Sequence, residues 1–347
     1  MSTQPKFPWA RSLDLRPGEE VQVRSKEEIL ATLNQRGRLA RMPFMPEMLQ
    51  FCGQRFTVAA RAVKSCDTVI SGEGRQVHDT VHLEGVRCDG SAHGGCQARC
   101  LIWWKEAWLR RVGEGKEDND AGRLESVCTE AALNRATSLP HLTPTIYACQ
   151  ASRMRDFTFG MRWYDPRPLL RELRSGNVTL RKAAGVIGRA AWNIVRRKLG
   201  MRPEPSLRGK CTSGTPTGRI PDLQPGDWVQ VKTKEEIEAT LDRRQKNRGL
   251  LFDVEMLPFC GQRFRLLTKV ERIIDERTGA MRSLPNDCWI LEGTVCSGHL
   301  SRGRLFCTRR IYPFWREIWL KKVEENPQGY SGARPDQSAA THAGEGT

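Results

Sequence analysis

The stretch "LRPGEEVQVRSKEEILATL" (15–33) returns as "LQPGDWVQVKTKEEIEATL" (223–241), an offset of 208 residues. The register then holds without a net gap. "EMLQFCGQRF" (47–56) meets "EMLPFCGQRF" (255–264), and "LEGVRC" (83–88) meets "LEGTVC" (291–296). It slips only beyond Cys88, before "WKEAWLRRV" (104–112) meets "WREIWLKKV" (315–323). A constant offset over that length marks two copies of one domain rather than a short solenoid unit.

Each copy reads the same way locally. Pro-Gly makes a turn, and "VQVRS" or "WVQVKT" then alternates apolar and polar residues as a half-buried strand. Ser25 with Glu28, and Thr233 with Glu236, form the S/T-x-x-E capping box that opens a helix. Ile29 and Leu33, like Ile237 and Leu241, are four apart and give that helix one apolar face. "RFTVAARAV" and "RFRLLTKVERI" read as strands, followed by "DTVHLEGV" and "CWILEGTV", and a Trp-rich segment closes each copy. The pattern predicts a mainly β chain with a helical middle, built as two tandem small SH3-like β-barrel domains; an α+β sandwich is the alternative. The expected divisions are a disordered N-terminus (1–12), a first repeat (13–113), a helical middle (114–200), a linker (201–220), a second repeat (221–324) and a disordered tail (325–347). The paired tryptophans belong in the core. Arg and Lys beside them make the last strand a place to look for a binding surface.

Twelve cysteines stand in a chain of 347 residues. The N-terminal stretch lacks the apolar core of a secretory signal, and no run is long and apolar enough to span a bilayer. A cytoplasmic protein is therefore expected, with thiols kept free or bound to metal rather than oxidised. Basic residues outnumber acidic ones by 56 to 40, a net charge of +16 that suits an anionic partner, nucleic acid or an acidic membrane surface. In the middle region "GEGKEDNDAG" (113–122) reads as an exposed loop, and "DPRPLLRELRSGN" as a helix with Asp165 at its N-cap and Pro166 at its first position. The acid-free segment 179–200 carries Arg181, Lys182, Arg189, Arg196, Arg197 and Lys198 as candidate contacts to that partner. Its other face holds Leu180, Ala184, Ile187, Ala191 and Ile194. That apolar face is expected to pack on a neighbouring domain and leave the charges in water; lying on an anionic membrane is the alternative.

The densest chemistry is "CDGSAHGGCQARC" (88–100). Cys88, His93, Cys96 and Cys100 are thiolate and imidazole donors of the kind zinc takes in a tetrahedron, and the glycines between them let the backbone wrap tightly. Cys66, Cys128 and Cys149 are further candidates, Cys149 especially because "CQA" occurs at both 96–98 and 149–151. The second copy offers Cys288, Cys296, His299 and Cys307 as a shifted site, whereas Cys52 and Cys260 read as buried core thiols. Zinc is the expected cofactor, and an iron–sulfur cluster is the lesser reading. "CDGSAH" resembles the motif of the CDGSH iron–sulfur family, but Ala92 intervenes and no C-x-C pair precedes Cys88. His78, His82 and Glu84 share one strand face, expected to be solvated. Asp89, His93 and Cys96 have the composition of a nucleophilic set, but residues of one loop rarely align nucleophile, base and orienter, and with no phosphate loop or H-E-x-x-H motif an enzyme is the less favoured class.

The segments "MPEMLQFCG", "DTVHLEGVRCDGSAHGGCQARCLIWWKEAWL" and "YACQA" resemble a family of uncharacterised bacterial proteins, over residues 15–200 with the second copy as a divergent duplicate. The resemblance implies no activity. The expected function is that of a metal-stabilised binding protein for an anionic partner such as nucleic acid. The alternatives are a peripheral membrane protein that uses 179–200, and a metalloenzyme that uses the Cys/His cluster.

Overall fold

The capping boxes start the same helix in both units. In a computed structural model of the chain, Ser25 and Thr233 each accept the N–H three residues on, and Glu28 and Glu236 each reach back to the cap N–H. These boxes open α1 (Lys26–Thr32) in the first unit and α5 (Lys234–Glu238) in the second. The structure describes residues 12–69, 74–113, 126–140, 142–161, 165, 167–301 and 304–324. The loop at 113–122, Pro166 and the expected terminal tails lie outside these, apart from Gly113 and Ser12.

The chain is mainly β, in several small antiparallel sheets with few helices. In the first unit β1 (Glu20–Val23), β2 (Arg55–Arg61), β3 (Thr80–Leu83), β4 (Trp104–Lys105) and β5 (Leu109–Arg111) form one sheet in the order β4-β3-β2-β1-β5. The second unit repeats that order as β9-β8-β7-β6-β10, with β6 Trp228–Val231, β7 Arg263–Lys269, β8 Cys288–Leu291, β9 Trp315–Arg316 and β10 Leu320–Lys322. The registers correspond as well. Val21 pairs with Phe56 and Val229 with Phe264, and a bulge falls between Val58 and Ala60 as it does between Leu266 and Thr268.

The tryptophans of the closing segments are core residues. Trp104, Trp108, Trp315 and Trp319 are fully buried. Trp108 meets Phe44 edge-on at 5.1 Å, and Trp319 meets Phe252 the same way at 5.1 Å. Each of the two indole N–H groups finds a threonine: Trp108 Nε1 donates to Thr32 Oγ1 at 3.1 Å and Trp319 Nε1 to Thr240 Oγ1 at 2.9 Å. A buried indole is stabilised by such a partner, which Trp104 Nε1 lacks among the described residues. These rings are therefore spent on packing, and the last strand presents no aromatic platform to a ligand.

Two expectations change. His82 does not face water, because all four residues of β3 are buried, and its Nδ1–H donates to the Ile102 carbonyl at 2.8 Å. Burial holds its imidazole down to about 3, while His78 and Glu84 stay exposed. Cys52 and Cys260 are half-buried at the ends of matching 3₁₀ turns rather than within the core.

The middle of the chain divides its packing. Residues around Cys149, Met154 and Phe157 join the first unit's core, where Phe157 meets Trp103 at 5.8 Å. α2 (Glu130–Thr137) adds Leu133 to the same core, and α3 (Arg167–Arg174) follows, Asp165 Oδ1 accepting the Arg167 N–H at 3.0 Å. α4 (Leu180–Lys198) docks differently from expectation. Its buried residues are Ala183 and Val186, set against Phe306 of the second unit. Arg189 then ties the helix down by donating to the His299 carbonyl at 2.8 Å. Small side chains let α4 approach closely along that edge. The face of Leu180, Ala184, Ile187, Ala191 and Ile194 is consequently turned to solvent. Among the described residues no helix is long and apolar enough to cross a membrane.

Candidate metal centre

The loop from Cys88 to Leu101 is closed by short-range hydrogen bonds. Cys88 N–H donates to the Cys100 carbonyl at 2.9 Å, and both His93 and Gly95 donate to the Gly90 carbonyl. Gly90 has a φ of +75°, and a Cβ there would overlap the backbone of Cys96, so only glycine lets the loop fold onto itself. The fold thereby turns the side chains of Cys88, His93, Cys96 and Cys100 onto one small apolar cavity of about 30 Å³.

Cys149 reaches the same cavity from outside the loop. Its neighbour Gln150 accounts for this. That buried amide donates to the carbonyls of Pro43 at 3.0 Å and Trp103 at 2.8 Å, and accepts the Trp103 N–H at 2.9 Å. Three bonds to two distant segments pin the "CQA" turn against the first unit. The sulfurs at the rim already accept backbone N–H groups, Ser152 on Cys149 at 3.3 Å and Ile274 on Cys96 at 3.4 Å. Hydrogen bonds of this kind to ligand sulfurs tune and orient thiolate–metal sites.

Glu47, which the sequence reading did not single out, anchors the arrangement. Its Oε1 accepts from Cys88 Sγ at 3.1 Å and contacts His93 Nδ1 at 2.7 Å. Glu47, Cys88 and His93 offer donor atoms that all lie within 4.8 Å of one another. His93 is almost fully buried, and its Nε2 has no hydrogen-bond partner among the described residues. A carboxylate on one ring nitrogen leaves the other as a lone-pair donor, the orientation found in carboxylate–histidine–metal arrangements. The signal for Glu47 lay in the repeat itself, since Glu255 matches it in register.

Burial pushes the Cys88, Cys100 and Cys149 thiols up from their ordinary value, with neighbouring acidic groups and thiols adding to the effect for Cys88 and Cys100. Neutral thiols lining an apolar pocket are poor nucleophiles, and among the described residues the donor group within 4.8 Å is Glu47, Cys88 and His93, with Cys96, Cys100 and Cys149 on the wall of the same cavity. A bound cation reverses the electrostatics and deprotonates the thiols.

The remaining candidates lie elsewhere. Cys128 is buried against the first core and directs its thiol to the Thr129 carbonyl, and Cys66 packs against Cys307. In the second unit Cys288 Sγ accepts from Arg316 at 3.4 Å, so Cys288 and Cys307 are engaged with different partners. Glu255 is satisfied by its own loop, accepting the Leu300 and Ser301 N–H groups at 2.7 Å and the Ser297 hydroxyl at 2.7 Å. Cys296 and His299 instead line the cleft between the units. Of the six basic residues, Arg189 and Arg196 are tied down, Arg196 to Glu204 at 2.9 Å, while Arg181, Lys182, Arg197 and Lys198 are exposed. No protein-family model matches the chain, and no curated protein matches its sequence.

Proposed function

We propose that this chain is a non-enzymatic binding protein, stapled by a structural metal, that docks on an anionic membrane surface through α4. The observation that carries this reading is the solvent-facing stripe of α4. Leu180 is 76% exposed, Leu199 67% and Trp192 55%, with Ile187, Ile194 and Val195 also in water. Cations flank the stripe and α4 contains no acidic residue. Exposed apolar surface of this kind marks an interaction site. Set among Lys and Arg it suits the headgroup boundary, where each basic residue adds about 1 kcal/mol.

The staple is read as zinc held by thiolates among Cys88, Cys96, Cys100 and Cys149 with His93 as imidazole donor, and with Glu47 orienting that ring. The five-strand order of each unit, whose last strand returns beside the first, supports an SH3-like reading of the two repeats.

Co-sedimentation of the full chain with vesicles tests the docking. Binding is expected to phosphatidylserine-containing vesicles, weakly or not at all to pure phosphatidylcholine, and to be lost in the double variant Ile187→Asp, Ile194→Asp. Equal binding by wild type and double variant would overturn it. Nucleic acid is the second reading, favoured by the cleft between the units, where Arg87, Lys182, Arg265 and Arg310 stand near Trp228 and Phe264. Steeply salt-dependent binding to single-stranded oligonucleotides, indifferent to the α4 double variant, would move the function there.

A further inference from the structure

Two cysteines outside the metal cavity meet where the units join. Cys66 ends the hairpin strand Lys64–Cys66, and Cys307 follows Phe306 in the second unit. The Cys66 N–H donates to Cys307 Sγ at 3.1 Å. The backbone holds them in place from both sides. Thr308 N–H donates to the Lys64 carbonyl at 3.2 Å, and Arg309 Nη1 donates to the Cys66 carbonyl at 3.1 Å. Arg309 is itself buried and clamped by Glu276 at 2.7 Å.

We propose that Cys66 and Cys307 are an oxidisable dithiol that closes to a disulfide across the seam between the two units when the protein meets a peroxide. The neighbouring Cys307 and the buried Arg309 guanidinium draw the Cys66 thiol down, whereas burial beside Cys66 pushes the Cys307 thiol up. Within the pair Cys66 is assigned as the attacking thiol and Cys307 as the resolving one. Cys307 forms part of the wall of the inter-unit cleft, about 850 Å³ in volume, which gives a water-sized oxidant a way in. The Cys66 thiolate attacks one peroxide oxygen, the O–O bond breaks, and hydroxide leaves as water after taking a proton. Cys307 sulfur then attacks the sulfenic sulfur of Cys66. The S–S bond forms, the S–O bond breaks, and the second oxygen departs as water with the Cys307 proton. Two thiols are oxidised by two electrons, and one hydrogen peroxide is reduced to two waters.

The test treats the full chain with equimolar hydrogen peroxide, quenches it with N-ethylmaleimide in denaturant, and maps the peptides by mass spectrometry. A peptide linking Cys66 to Cys307 is expected, lighter by two hydrogens than the reduced pair, with the metal content unchanged. In Cys307→Ser, Cys66 is expected to be trapped as its sulfenic acid by a 1,3-diketone reagent. The wild-type map decides the question even if that variant fails to fold. Recovery of both cysteines as maleimide adducts would overturn the proposal. So would oxidation confined to Cys88, Cys96, Cys100 or Cys149 with loss of metal, or a disulfide that pairs Cys296 instead.

Discussion

Glu172→Gln should remove a pH dependence that wild type carries into the alkaline range. Glu172 is 1% exposed; its Oε2 accepts from Asn177 Nδ2 at 2.6 Å, and Oε1 has no partner among the described residues. Burial pushes its carboxyl up from 4.5 to about 8. The folded protein thus keeps a proton that the unfolded chain releases near 4.5. A folded value raised above the unfolded one gives stability that is fully present below about 4.5 and lost as pH rises to about 8. The slope across that window is about 1.4 kcal/mol per pH unit, or about 5 kcal/mol in all. Glutamine keeps the shape and the acceptor for Asn177 but has no proton to lose. Urea unfolding at a series of pH values is the assay. At pH 5 the two proteins should agree to within about 1 kcal/mol, and by pH 9 the variant should be the more stable by up to about 5 kcal/mol. A difference between variant and wild type that stays constant from pH 5 to pH 9 would refute the reasoning.

Thr32→Val and Thr240→Val should each cost about 1–2 kcal/mol, because each strands a buried indole N–H; a clear inequality between them would argue against equivalent roles for the two positions. The His82 ring should remain neutral by NMR as pH falls through 6.5 and titrate only near 3, so that this group withdraws stability between those values; titration near 6.5 would contradict its burial. Gln150→Ala leaves the Trp103 N–H and two carbonyls unpaired, and should cost about 3 kcal/mol or more in chemical unfolding while weakening retention of the metal. A stable Gln150→Ala protein with full metal content would show that Cys149 needs no such pin.

Where local chemistry decides structure, the sequence was readable. The boxes at Ser25 and Thr233 specify helix starts through two reciprocal bonds within four residues, and Val21 and Val23 alternate inward because a strand has a period of two. Trp104 and Trp108 are too large and apolar to be left outside. The centre was half legible. Cys88, His93, Cys96 and Cys100 lie in one loop that glycine allows to close, whereas Cys149 arrives through the side chain of Gln150, a long-range contact that spacing does not encode. Glu47 was hidden because a carboxylate on a short turn looks like any solvated acid until its partners fold over it.

The helix 180–198 stands where the sequence places it, but its buried face differs for a related reason. Periodicity identifies an apolar face but not the neighbour it meets. Ala183 and Val186 won the interface because their small side chains fit against Phe306, and the longer residues were left facing water. The same limit applies to His82. A period-two strand reading assigns faces and takes one of them to be wet, but here both faces of Thr80–Leu83 are covered.

The central claim is that the cavity shared by the Cys88–Cys100 loop and Cys149 holds a metal. Elemental analysis and an absorption spectrum of the full chain, purified without chelator, test it most directly. The account predicts about one zinc per chain in colourless protein, with metal content and thermal stability falling together in Cys149→Ser and in Cys96→Ser, since structural zinc binding is coupled to folding. Brown absorbance with iron and sulfide would keep the site and change its occupant. Protein that is folded and free of stoichiometric metal, or metal content untouched by both substitutions, would contradict the claim.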